Sequence, residues 1–355
     1  MSHAMSSRYS FHQAPMRVYW EITRACGLAC RHCRAEAAPT RAKEELDTEE
    51  GYRLLTQLAS ADPKPHVVLT GGDPLERPDL FDLLAKGQEL GLGMSVSPSA
   101  TPRLTEEAIR KLKAANVEAI SLSIDGATEA THDGIRGVTG TFARTLVAGR
   151  QARELGLPFQ VNTLVSEETL AEIPAIEALA RDLGAARWSL FFLVSVGRGT
   201  VLSSISPDEC TKLLEWLAER GAQPGMIITT TEAPHFRRIV AERKTSVPGR
   251  GHVAGIRDGN GIMFVSHDGD VFPSGFLPVP AGNVRKDDAL EVYRKAPLFL
   301  SLRNTDSFHG RCGECEVRNA CGGSRARAFM ASGDVLGEDP LCTHVPGTHA
   351  PGHAA

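Results

Sequence analysis

Seven of the eight cysteines fall into two groups, and their spacing is the strongest chemical statement in the chain. Cys26, Cys30 and Cys33 form a Cys-x3-Cys-x2-Cys run in RACGLACRHC, directly after the β-rich RVYWEIT. Three thiolates on one tight loop can hold three irons of a four-iron cluster and leave one iron without a protein ligand, which is what cofactor chemistry requires. A structural zinc would want a fourth Cys or His, and His32, set between two of the cysteines, is badly placed to ligate the same ion. The second group is Cys312-x2-Cys315-x5-Cys321, followed after twenty residues by Cys342. Four thiolates can close a cluster with no vacant iron, which suits electron transfer or structure. A zinc ribbon is the alternative, and the uneven spacing counts against it. Cys210, alone in DECTKLLEWL, reads as a small buried apolar residue on a helix.

These thiols need a scaffold, and the sequence supplies an alternating one. From Arg17 to about Val194, β-rich runs (RVYWEI, HVVLT, GMSVSPS, EAISLSI, PFQVNTLV, RWSLFFLV) alternate with amphipathic runs whose apolar residues recur every three or four positions. Six such repeats predict a parallel sheet with right-handed crossovers, closed fully or partly into a barrel with its chemistry at the C-terminal strand ends. Beyond about residue 200, SPDECTKLLEWLAERG reads as a helix, GMIITTT as a strand and IMFVSHDGDVFPSGFL as a hairpin turning on His267–Asp270. DDALEVYRKAPLFLSL reads as one further helix.

At 355 residues and 42% hydrophobic content, the chain can bury a large core. With 39 basic against 43 acidic residues, it has no global attraction for nucleic acid or anionic lipid. No apolar run is long enough to cross a membrane and no signal peptide is recognisable, so a cytoplasmic protein is expected. In that reducing compartment the cysteines point to metal or redox chemistry, not disulfides. The two ends, 1–14 and 346–355, are expected to be disordered tails.

Cys-x3-Cys-x2-Cys after the first strand of a βα barrel resembles the radical S-adenosylmethionine superfamily, over residues of about 15 to 345. The resemblance implies a partial (β/α)6 TIM-like barrel with a C-terminal SPASM- or twitch-like iron-sulfur extension. It also implies S-adenosylmethionine chelated to the open iron and cleaved to a 5′-deoxyadenosyl radical, and a flavodoxin- or ferredoxin-type reductant. His32 matches the aromatic position beside the adenine. LTGGDPL is similar to the family's Gly-Gly-Glu-Pro segment, so Gly71, Gly72, Asp73 and Pro74 are implied as cofactor contacts. Ser95 or Ser97 in SVSPSAT, Asp125 in SIDG, Arg136 in THDGIRG and Asn162 in VNT are implied in the same way.

The segment from Cys312 to Cys342 resembles the SPASM extension, in the form found in haem-pathway and mycofactocin-type members. Ser274 in FPSG and Ser324 in CGGS stand where further cysteines would be expected, and HVAGIRDGNG has none. Two four-iron clusters are therefore expected, one open and one fully ligated. The implied layout is 15–205 for the barrel core, 206–305 for a bridging α/β region with the hairpin, and 306–345 for the auxiliary cluster segment.

For the substrate, Arg198 in SVGRG is expected at the mouth of the barrel, with Arg325 and Arg327 as further carboxylate clamps. His235, in TEAPHFRR with Glu232, Arg237 and Arg238, is a candidate to bind or protonate substrate. The leading expectation is oxidative decarboxylation of a carboxylated small molecule such as a tetrapyrrole propionate. Peptide maturation, nucleoside uronic acid decarboxylation and a non-catalytic electron carrier are the alternatives.

Overall fold

The computed structural model describes residues 10–243 and 255–347. Most of both expected tails, and the first residues of HVAGIRDGNG, lie outside that range. The part of the N-terminal tail that is described is ordered: Ala14 is buried, and the Phe11 carbonyl accepts a hydrogen bond from the Tyr293 hydroxyl at 2.7 Å.

Ten strands form one sheet: β1 (Arg17–Thr23), β2 (His66–Gly71), β3 (Met94–Val96), β4 (Ala119–Ser123), β5 (Phe159–Val165), β6 (Arg187–Phe192), β7 (Ile227–Thr231), β8 (Ile262–Val265), β9 (Asp270–Phe272) and β10 (Gly282–Asn283). They are ordered β10-β9-β8-β1-β2-β3-β4-β5-β6-β7, so the edges do not pair and the barrel is open. The six expected strands run β1 to β6 in parallel, joined by helices across the outer face. The bridging region is less separate than expected. β7 extends the sheet in parallel from β6, while β8 docks in parallel on β1 and turns into antiparallel β9. The single helix expected at 287–302 is two, Ala289–Lys295 and Pro297–Arg303, because Pro297 has no N–H to continue the first. A helix at Glu129–Arg136, not expected from periodicity, is capped by Thr128. Among the described residues no helix is long and apolar enough to cross a membrane.

The core lies between the sheet's outer face and the helices. Val18, Trp20, Ile22, Val67, Leu69, Ile120, Leu122, Trp188, Leu190 and Ile228 face outward and are all but fully buried. The alternate residues of each strand face inward, and many are small or polar: Thr70, Ser95, Ser121, Asn162, Ser189 and Thr229. They do not meet across the axis, so the barrel encloses a cavity of about 1020 Å³ instead of a packed centre.

Candidate active site

The Cys26–Cys33 loop leaves the C-terminal end of β1 and is held by backbone on three sides. Gly72 N–H donates to Thr23 O at 2.8 Å and Asp73 N–H to Ala25 O at 2.7 Å. Ala29 and Arg31 N–H donate to the carbonyls of Arg136 and Ile135 at the end of helix Glu129–Arg136, and Arg198 N–H donates to Cys33 O at 3.1 Å. These approaches are close enough to exclude side chains: a Cβ on Gly72 would stand 2.2 Å from Ala25 O. One on Gly197, at φ +53°, would stand 2.6 Å from Arg34 O. Gly-Gly at 71–72 is therefore required by packing against the thiol loop.

All three thiols line the barrel cavity, and N–H groups are aimed at two of them: Leu28 N–H at Cys26 Sγ (3.4 Å) and Ala37 N–H at Cys33 Sγ (3.4 Å). The Arg136 guanidinium faces Cys30 Sγ at 3.8 Å. Donors converging on sulfur suit anionic thiolates. Burial above all, with the neighbouring thiols and the Asp73 and Asp125 carboxylates, pushes the Cys26 and Cys30 thiols up, so loading a metal here must release protons. A single tetrahedral zinc, about 2.3 Å from each sulfur, would draw its ligands close together. The group of three metal-capable side chains within 4.8 Å of one another, among the described residues, is Cys315, Glu316 and His344, not the Cys26 trio. The wider spacing of the trio fits thiolates that each hold a separate iron.

Below the loop sits a buried charge cluster. Asp125 pairs with Arg136 and also accepts from Leu164 N–H at 2.7 Å, while its own N–H donates to His132 Nδ1 at 3.1 Å. His32 Nε2 lies 4.0 Å from the same carboxylate. Arg136 holds Asp125 ionised despite its burial, and burial with the Arg136 charge lowers both His32 and His132 to about 4. An unfolded histidine takes up a proton below about 6.5, whereas folded His132 resists until about 4. Stability should therefore fall as pH drops from about 6.5 to about 4, by on the order of 3 kcal/mol from this group. Urea midpoints for wild type and His132→Gln, whose side-chain carbonyl can still accept from Asp125, should show a shallower pH dependence in the variant.

Several expected contacts have other duties. Asp73 and Pro74 do not line the cavity. The Asp73 carboxylate accepts from Thr101 Oγ1 (2.7 Å), Leu75 N–H (3.1 Å) and Ser99 N–H (3.3 Å), and it caps the 3-10 turn Pro74–Glu76. Ser99, passed over in the sequence, reaches the site itself, with its Oγ 2.9 Å from Gly72 O and 3.6 Å from Cys26 Sγ. Ser95 pairs with His66 Nε2 at 2.9 Å, well below the thiols. Ser97 and Asn162 face the cavity. Glu21, on the inner face of β1, also went unread; Arg34 and His267, each at 2.7 Å, keep it ionised beside the thiol loop.

Arg198 lines the barrel cavity as expected, but two of its three guanidinium nitrogens are turned to the thiol loop. Its Nε donates to Cys30 O at 2.9 Å and its Nη1 to Ala37 O at 3.1 Å, which ties the two ends of the thiol loop together. Arg198→Ala should release iron to a chelator roughly 10- to 100-fold faster, as loss of an outer-shell support does. A raised KM with unchanged iron release would mark a substrate clamp instead.

The second thiol group surrounds its own small cavity. Cys312, Cys315, Cys321 and Cys342 line it together with His235, Arg238, Asp339 and His344. Arg325 Nη2 lies 3.4 Å from Cys312 Sγ, Gly323 N–H donates to Cys321 Sγ at 3.5 Å, and burial pushes Cys321 up to about 12. Arg325 and Arg327 therefore serve this wall and not the barrel. Arg325 also caps the carbonyl of Gly337, and Arg327 pairs with Asp339 at 3.2 Å. His235 is likewise displaced from the expected substrate site. It is buried against Cys210 Sγ (3.2 Å) and faces Asp339 at 4.0 Å, and burial lowers it to about 4. Ser324 takes a helix N-cap, and Ser274 supports the turn to Phe276. Gly323 lines both this cavity and the barrel cavity, so the two sites share a wall. Glu232 lines the barrel side and accepts from Ser324 Oγ, and burial beside Asp258 pushes its carboxyl well above the usual carboxylate range.

Known proteins resemble this chain in sequence and in fold. The family model described as Radical SAM superfamily matches residues 20–180. The AdoMet-dependent heme synthase of Methanosarcina barkeri is 40% identical over 343 residues, covering 94% of this chain and 98% of that protein. The protein of the same name from Nitratidesulfovibrio vulgaris is 37% identical, covering 93% and 92%. Among solved structures, Streptococcus suis SuiB bound to S-adenosylmethionine superposes with a TM-score of 0.73 at 17% identity, over 94% of this chain and 78% of that one.

Proposed function

The chain belongs to the radical SAM superfamily, and from that premise we propose that it is an oxidative decarboxylase of tetrapyrrole propionates in a haem-type pathway. S-adenosylmethionine and an iron-sulfur cluster are its cofactors. The finer arrangement we propose is two four-iron clusters, one open on Cys26, Cys30 and Cys33 and one closed on Cys312, Cys315, Cys321 and Cys342. When bound, the first supplies a 5′-deoxyadenosyl radical and the second an electron acceptor. The protein's share is to position and to exclude water. Arg136 and Asp125 hold charge beneath the thiol loop, Ser99, Gly71 and Gly72 set its floor, and His32 stays neutral there as a stacking surface. The barrel cavity is the substrate chamber.

The observation that carries this reading is the wall shared at Gly323. Removing a hydrogen atom from the carbon next to the one bearing a carboxylate leaves an alkene and carbon dioxide only if one further electron departs. An acceptor beside the substrate chamber therefore serves decarboxylation directly. The two heme synthase relatives, similar over nearly their full length, support the same choice. A flavodoxin or ferredoxin as reductant and a cytoplasmic location complete the proposal. Incubated anaerobically with reductant, S-adenosylmethionine and iron-coproporphyrin, the enzyme should give products lighter by one or more formic acid equivalents. An unchanged mass spectrum, with S-adenosylmethionine consumed, would refute it.

A further inference from the structure

The barrel chamber has a cationic floor that the chemistry at its roof does not use. Arg17 and Arg187 are the first residues of β1 and β6, and both side chains line the cavity. Their strand positions put them at the end opposite the thiol loop. Arg17 pairs in register with His66 and Ile262, and Arg187 with Gln160 and Ile227, all at or near strand starts. Neither guanidinium has a carboxylate partner among the described residues. The nearby carboxylate, Glu118, faces His66 Nδ1 at 3.5 Å. Burial and the Arg17 charge both disfavour the Arg187 cation, and Tyr19 offsets this only in part. Two guanidiniums facing one cavity with no carboxylate in ion-pair contact, Glu118 of the same wall being turned to His66, form a site for anionic oxygens, and their planar forks match carboxylates.

We propose that Arg17 and Arg187 anchor the propionates that the reaction leaves intact. This rests on the tetrapyrrole reading above and goes beyond it by assigning the substrate's orientation. A haem keeps two of the four propionates of coproporphyrin, on the macrocycle's opposite edge from those converted to vinyl groups. Arg17 to Thr23 spans roughly 20 Å at about 3.3 Å per strand residue. A tetrapyrrole standing on edge can therefore present its reacting propionates to the thiol loop and its retained ones to the floor. Arg325 and Arg327 serve the second thiol site, and Arg198 stands at the thiol-loop end of the chamber, so the opposite end falls to the floor pair.

The test is a set of absorbance titrations with anaerobically purified holoenzyme. The double variant Arg17→Gln/Arg187→Gln should bind iron-coproporphyrin roughly tenfold to a hundredfold more weakly than wild type, the range for losing charged hydrogen bonds. Haem b, which carries only the retained propionates, should weaken by a similar factor. Iron octaethylporphyrin, with no carboxylate, should bind wild type and variant alike. Arg187→Lys, which keeps the charge, should recover part of the loss. Weakening of iron-coproporphyrin but not haem b would place the reacting propionates at the floor and overturn the orientation. Equal binding of all three ligands by both proteins would overturn the inference alone. Failure of wild type to bind any tetrapyrrole would overturn the tetrapyrrole reading beneath it.

Discussion

Replacing Cys30 with Ala should abolish conversion of S-adenosylmethionine to 5′-deoxyadenosine, a loss on the order of a thousandfold or more, as when a unit of catalytic machinery is removed whole. Cys30 is the middle thiol of the loop, its carbonyl is held by Arg198 and its sulfur faces Arg136. No neighbouring donor can take its place: His32 points to Asp125, and Ser99 is a hydroxyl. Reconstituted wild type should carry about eight irons, and the variant about half as many, the remainder on the C-terminal thiols. Stoichiometric zinc, or about twelve irons, would contradict the cluster assignment. Cys210→Ala is the matching control, since that thiol is fully buried against His235 and lies in neither set.

Replacing Cys342 with Ala should separate two activities that the wild type couples. Uncoupled cleavage of S-adenosylmethionine should survive largely intact, because the Cys26 loop is fastened by β1, Gly72, Arg136 and Arg198 and not by the C-terminal thiols. Decarboxylation should fall below detection, for the departing electron would have no acceptor across the wall at Gly323. Parallel loss of both activities would show instead that the C-terminal site is needed to build the barrel. Far-ultraviolet circular dichroism of the variant separates that outcome from unfolding.

Much of the scaffold was legible because its signals are local. The first six strands and most of the helices between them could be read from runs and caps, since each strand buries its outer residues against a helix. What escaped depends on long-range pairing. No local signal says that Ile227–Thr231 lies beside β6, or that the 262–272 hairpin closes onto β1. The break at Pro297 was visible in the sequence and was passed over. Ala14 is buried, and the chain before β1 is tied by the Tyr293 hydroxyl to the Phe11 carbonyl, 282 residues apart in sequence.

The site divides in the same way. That the thiols gather in two places was readable, because their spacing is sequence-local. Gly71 and Gly72 were readable as a motif, although their tight approach to Thr23 and Ala25 also gives them a packing role. Roles that depend on direction were not readable. Asp73 turns to Thr101, Arg198 turns to the thiol loop, and His235, Arg325 and Arg327 turn to the second cavity. Arg17 and Arg187 carried no motif, and only the hollow inner face of the sheet gives them meaning.

The most direct test of decarboxylation is the fate of one hydrogen. Iron-coproporphyrin deuterated at the propionate β-carbons, turned over by reduced enzyme with S-adenosylmethionine, should place deuterium in 5′-deoxyadenosine in step with loss of carbon dioxide. If 5′-deoxyadenosine forms without deuterium from this substrate, while a deuterated peptide encoded beside the gene does transfer it, the chain is a peptide maturase and the account is wrong.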